Sequence, residues 1–323
     1  MTTQAKIISM KFSSEKVTFG RHETFPLRYS WLTKGIQGIL DNDNNPSVFN
    51  DDNAVIRFGV GRNMVSSIRY WLTACQLITP QLPSPISPLA HFIFNPQTGK
   101  DIYLEDEATI WLMHWFLATN SINATAWFWF FNKFHKPEFT SEELQTALTD
   151  FVNENVVEKK RPSASSIKKD IALLTRMYIQ STTNKRISLE EMLDSPFSLL
   201  GLVTQSDNGK IFQFKPEARA NLPVGIFSFA VAEYIDKRQL TTIPIEELMY
   251  SKGDFATLGS VFKLTESDLI TKLELMIDYI PNLFAIRESA GIHQLYKIDS
   301  EHKIDSMLYL QKHYNDVQTG IAA

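Results

Sequence analysis

The sequence predicts a mainly α-helical chain with small β-hairpins, arranged as tandem winged helix-turn-helix-like units. Three observations carry that expectation. Within residues 53–78 a short apolar run closes on Gly59-Val60-Gly61, after which Val65, Ile68, Leu72 and Cys75 recur at helical spacing and form one apolar stripe. Arg62, Asn63, Ser66, Ser67 and Arg69 fall on the other side. A tight turn feeding a helix of that kind is the layout by which a helix-turn-helix meets phosphates and base edges. A second segment, residues 162–174, repeats the logic with Ser163 as cap, Ile167, Ile171 and Leu174 as the stripe, and Lys168 and Lys169 outside it. Turn formers between short apolar runs, Asn208-Gly209 and Ser289-Ala290-Gly291, mark hairpins. The expected units are residues 1–107, a central aromatic and basic unit over 108–238, and residues 239–323.

In the first unit Pro26 suits the first turn of a helix continuing to Leu40, because its missing N–H has no helical partner there in any case. Clustered turn formers over residues 41–46 end it. Asp51 and Asp52 cap a short helix through Arg57, and the Gly59 turn leads into the recognition helix. Residues 89–94 and 102–104, joined across Gly99, are expected as two strands forming a wing.

The second unit opens at Asp106-Glu107, acids suited to a helix N-terminus, and runs through residues 110–117 with apolar groups around nearly the whole circumference, as in a buried helix. Residues 124–134 form an aromatic helix. Thr140 with Glu143 is a capping box for a third, striped by Leu144, Leu148, Phe151 and Val152. After the basic helix comes a hairpin over residues 199–214, then an apolar helix over residues 223–235. In the third unit Thr265 caps a helix carrying Leu269, Leu273, Met276 and Ile277, acidic outward through Glu266, Asp268, Glu274 and Asp278. A hairpin over residues 283–298 and a terminal helix over 304–314 complete the chain.

The chain of 323 residues is 44% hydrophobic, enough for several compact cores and against disorder as its main state. Its formal net charge of -4 excludes a protein that coats nucleic acid by bulk basicity, so contacts must come from local patches. The best such patch is residues 156–186, with eight Lys or Arg (159, 160, 161, 168, 169, 176, 185, 186) against Glu158 and Asp170. The lone cysteine, Cys75, excludes an internal disulfide and reads as a small core residue. Neither a secretory signal nor a membrane span is present in the sequence, which points to the cytoplasm and to no membrane partner.

Signatures of nucleotide hydrolysis, serine hydrolases and zinc proteases are missing: Gly59-Val60-Gly61-Arg62-Asn63 lacks the Gly-Lys-Ser/Thr ending of a phosphate loop. Three weaker constellations stand. Arg21, His22, Glu23 and Arg28 offer cations, an imidazole and a carboxylate within eight residues, suited either to proton transfer and phosphate contact or to an ion-paired lid. Asp101, Glu105 and Asp106 supply oxygen ligands for a hard cation, Mg2+ or Mn2+, or else cap the next helix. Glu301-His302-Lys303 carries a Glu-x-Lys pair that is as well explained as surface charge. His114 and His135 sit among aromatics as core or rim histidines, and nothing implies an organic cofactor.

Several separated stretches resemble successive motifs of one bacterial family. They are Phe-Gly-Arg-His-Glu-Thr-Phe-Pro-Leu-Arg over residues 19–28, Gly-Val-Gly-Arg-Asn-Met-Val over 59–65 with Ile-Arg-Tyr-Trp over 68–71, Tyr-Leu-Glu-Asp over 103–106, Trp-Leu-Met-His-Trp over 111–115, and Phe-Asn at 131–132. The family is the SspB-like, uncharacterised-domain family encoded beside sulfur-handling enzymes in DNA phosphorothioation and anti-phage defence loci. Arg62 stands where the family motif has Lys, which keeps the charge but changes its phosphate geometry. The resemblance implies a DNA-binding component that nicks DNA, or positions it for sulfur insertion, alongside a sulfur-transfer enzyme and an ATPase. A non-catalytic adaptor, a regulator of the same locus and a homodimer all fit the same residues. In the nicking reading His22 and Glu23 handle the proton or contact metal, with Asp101, Glu105 and Asp106 as a second metal-facing set. Arg21, Arg28, Arg62, Asn63, Ser66, Arg69, Lys168 and Lys169 hold DNA.

Overall fold

The structure is a computed structural model that describes residues 10–79, 85–179, 195–206, 208–250, 253–289, 291–299 and 304–319. Lys185, Arg186, Ala290 and the triplet Glu301-His302-Lys303, all invoked from the sequence, lie outside the described residues, as does Asp207 before the Asn208-Gly209 turn. The chain divides into two compact units, the first formed by Met1–Phe130 and Phe134–Lys215, the second by Phe131–Lys133 and Pro216–Ala323.

In the first unit α1 (Trp31–Leu40), α2 (Ala54–Phe58) and α3 (Arg62–Ala74) pack together. Gly35 sets the α1–α3 spacing: a β-carbon there would come within 2.5 Å of Leu72 Cδ1 and 2.9 Å of Ile68 Cγ2. The α2–α3 corner turns through Gly59, whose φ of +61° is the left-handed conformation that closes a helix at low cost for glycine. Pro26, expected inside the first helix, instead precedes it by several residues of non-helical backbone. The Phe25 carbonyl is taken by Trp71 Nε1 at 3.1 Å and by Ser67 Oγ at 3.4 Å, which ties this stretch to α3 rather than to a helix of its own.

The wing is the clearest correction. Residues 89–94 are not a strand: they belong to helix α4 (Pro88–Phe94), and residues 102–104 form a turn. Ser87 accepts the Ala90 N–H at 3.1 Å and Pro88 occupies the first helical position, a start signal that outweighs the apolar run behind it. Asn95 then accepts the N–H groups of Gln97 and Thr98, closing the Gly99 loop.

Helix α5 (Glu107–Thr119) is buried from Ala108 through Thr119, as its unbroken apolar circumference requires. Aromatic α6 (Thr125–Asn132) follows, then α7 (Ser141–Asn155) behind the reciprocal Thr140–Glu143 capping box, and α8 (Ala164–Tyr178) behind Ser163. α7 and α8 pack on each other. The expected hairpin is present as β2 (Val203–Gln205) and β3 (Phe212–Phe214), and β1 (Glu138–Phe139) adds a third antiparallel strand in the order β1-β3-β2. Phe130, Phe134, Phe139 and Phe214 interlock beneath it, with ring centroids 4.7 Å apart for Phe130 and Phe214.

The second unit has α9 (Val224–Arg238) packed on α12 (Glu266–Tyr279) and α13 (Met307–Gln318). Its antiparallel sheet has the order β4-β6-β5, with β4 (Thr242–Pro244), β5 (Phe284–Ser289) and β6 (Ile292–Lys297). Short helices α10 (Ile245–Met249) and α11 (Leu258–Phe262) connect these elements. The described chain is therefore mainly α with two small three-stranded sheets. Among the described residues no helix is long and apolar enough to cross a membrane.

Candidate nucleic-acid interface

His22 lies at the centre of the first unit and is fully buried. Its Nδ1 accepts the Thr24 backbone N–H at 3.1 Å, so Nε2 carries the hydrogen and donates it to Asp170 Oδ1 at 2.6 Å. The Gly20 N–H donates to both oxygens of the same carboxylate, at 2.9 and 3.1 Å. Burial pushes the Asp170 carboxyl above its ordinary range, opposed by the hydrogen bonds it accepts from His22 and from the Gly20 N–H. Around the imidazole stand Tyr70 and Trp71 of α3 and Trp127 of α6, with ring centroids 6.0, 6.5 and 5.9 Å away.

This cluster gathers three of the stretches that the sequence offered for nucleic acid. Exposed Arg21 precedes His22, exposed Arg69 precedes Tyr70, and exposed Lys169 precedes Asp170. Each cation is thus the chain neighbour of a member of one buried knot. Asn63, Ser66 and Lys168 are exposed as well. Arg62 stays exposed while donating to the Asp51 carbonyl at 2.9 Å, and Arg69 donates to Asn50 Oδ1 at 3.1 Å, so both guanidinium groups lean on the loop before α2. Arg28 is half-buried over the Trp31 ring at 5.3 Å, a cation–π packing against α1.

The acids assigned to metal are arranged otherwise. Asp101 is buried and accepts the Glu105 N–H on Oδ1 at 2.8 Å and the Asp106 N–H on Oδ2 at 3.2 Å. Asp106 caps α5 by accepting the Ala108 N–H at 2.8 Å. These carboxylates are engaged as turn and helix caps, and among the described residues no three His, Cys, Asp or Glu side chains gather as a cation site. Glu23 is exposed at a φ of +50°.

Other expectations resolve simply. His114 is a core residue with Nδ1 2.8 Å from the Tyr178 hydroxyl, and His135 is exposed at the rim. Cys75 is buried, and desolvation raises its thiol pKa, so it is no reactive thiolate. Asp170 is the residue that sequence reasoning passed over. Its signal was its phase: it sits between Ile167 and Ile171 on the apolar side of α8, where a carboxylate needs a partner.

The fold and this cluster define a helical protein with small sheets in which exposed Arg21, Arg69 and Lys169 each adjoin in sequence a residue of a buried His–Asp–aromatic knot. The family model described as "Protein of unknown function (DUF4007)" matches residues 19–314, and the chain belongs to that family. Two solved structures are similar to it. One, "SspB crystal structure", is 27% identical, covers 96% of this chain and 91% of that chain, and has a TM-score of 0.80. The other, "Magnesium ion-bound SspB crystal structure", is 27% identical over 96% of this chain and 90% of that chain, with a TM-score of 0.77. The chain is SspB-like, as its motifs led one to expect. No curated protein matches it.

Proposed function

We propose that this chain is the DNA-contacting component of an Ssp-type DNA phosphorothioation and anti-phage defence system. It holds the phosphodiester backbone on the first unit through Arg21, Arg62, Asn63, Ser66, Arg69, Lys168 and Lys169. The observation that carries the reading is that exposed Arg21, Arg69 and Lys169, from distant parts of an acidic chain, are each the chain neighbour of a residue of one buried cluster, His22, Tyr70 and Asp170. Likeness to SspB supports the assignment to the system, and the partners it implies are the other proteins of that system, including a sulfur-transfer enzyme and an ATPase. In this reading Arg28 supports α1, and His22 positions the neighbouring loop because both of its ring nitrogens are engaged inside the fold.

Nicking is a second reading, favoured by one observation: Glu23 is exposed beside Arg21, so an acid and a cation reach solvent on the same loop. A supercoiled plasmid incubated with the purified protein and Mg2+ or Mn2+ separates the two. Retarded but unrelaxed plasmid supports the positioning role, relaxation abolished by Glu23→Ala supports nicking, and a plasmid neither retarded nor relaxed overturns DNA contact altogether.

A further inference from the structure

We propose that the loop over residues 20–24 is a preorganised phosphate-contacting element, and that Asp170 is its positioning residue, acting through Arg21. This rests on the DNA-contacting reading above. The loop backbone is one that these residues do not choose for themselves: Gly20, Glu23 and Thr24 have φ of +66°, +50° and +65°. For a β-branched residue such as Thr24 that conformation is unfavourable, and it persists only when surrounding bonds over-determine it.

Those bonds are all present. Asp170 holds the entry of the loop through the Gly20 N–H, and His22 through Nε2. His22 holds the exit, accepting the Thr24 N–H on Nδ1 and the Phe25 N–H at 2.9 Å on its carbonyl. One buried carboxylate thereby fixes the residues on both sides of Arg21, which stays exposed. The loop is also seated directly on α8: a β-carbon on Gly20 would come within 3.2 Å of Ser166 Cβ and Oγ. A strained loop clamped from beneath and seated on the first turn of α8 at Ser166 is built to present its exposed cation, Arg21, in one place. A phosphodiester oxygen is the ligand that such a cation takes.

The test is a double-variant cycle read by fluorescence anisotropy with a short labelled DNA duplex, titrated at several salt concentrations. Arg21→Ala removes one phosphate contact and flattens the log–log salt slope by about 0.9. Asp170→Asn, which keeps the size of the side chain, flattens it toward the same value. Combining the two weakens binding by no more than about twofold beyond the stronger single variant, because both act on one contact. Gly20→Ala provides the same test without touching the buried pair, and it carries the cycle if circular dichroism shows Asp170→Asn unfolded. Wild-type affinity and slope in a folded Asp170→Asn or Gly20→Ala variant, or losses that multiply with Arg21→Ala, overturn the role of Asp170 while leaving DNA contact standing. Wild-type protein with no salt-dependent binding removes both.

Discussion

Two buried charges set the behaviour expected at the level of single residues. His22→Ala leaves the Asp170 carboxylate buried with the Gly20 N–H but without its imidazole partner. Orphaning one member of a buried pair typically costs about 3–5 kcal/mol, so urea unfolding of this variant should show a loss of that order. His22→Ala with wild-type stability would mean that the pair does not support the first unit. In the second unit, Lys263 is buried with Nζ 3.0 Å from the Phe131 carbonyl, and burial, aided by the nearby Arg219 charge, lowers its pKa to about 7. The unfolded chain, with lysine near its ordinary value, binds more protons than the folded chain above pH 7. Stability therefore rises with pH from 7 toward 9. Thermal melts of Lys263→Met over that range should show a smaller rise than the wild type. An identical pH dependence in the two proteins would contradict the placement of Lys263.

Among the elements, the spacing of α1 against α3 depends on Gly35. Gly35→Ala forces a methyl group into Leu72 and Ile68, an overpacking that generally costs about 1–3 kcal/mol. Denaturant midpoints would reveal it, and combined with Leu72→Ala, which opens the space, the two losses should sum to less than their separate values. The elements most legible in the sequence are those whose signals are local. Thr140 with Glu143 announced α7, Ser163 announced α8, and the unbroken apolar circumference of α5 announced its burial. Where the deciding interaction is distant, sequence pattern fails. The run over residues 89–94 is a different case: its composition is that of a strand, and the local Ser87-Pro88 start that makes it a helix is outweighed in the sequence pattern by the apolar run. Strands β1 and β4 have two and three residues, too few to carry any alternation, and exist because β3 and β6 pair with them. The same holds for the site: Arg21, Arg69 and Lys169 were legible as exposed cations, but the bond that joins the neighbours of Arg21 and Lys169 spans 148 residues of chain.

For the whole molecule, the net charge of -4 makes the proposed contact a matter of arrangement rather than of total charge. Three cations from the loop, α3 and α8 are attached to a knot of His22, Tyr70, Trp71, Trp127 and Asp170, all in the first unit. In the second unit α12 carries an outward acidic face through Glu266, Glu274 and Asp278, which repels a polyanion, so the proposed DNA contact is placed on the first unit. The most direct measurement is the salt dependence of duplex binding for wild type and for Arg62→Ala combined with Lys168→Ala and Lys169→Ala. We expect weaker binding and a log–log slope flattened by about 0.9 for each phosphate contact removed. A folded triple variant that retains the wild-type slope would contradict the assignment of the DNA face to α3 and α8.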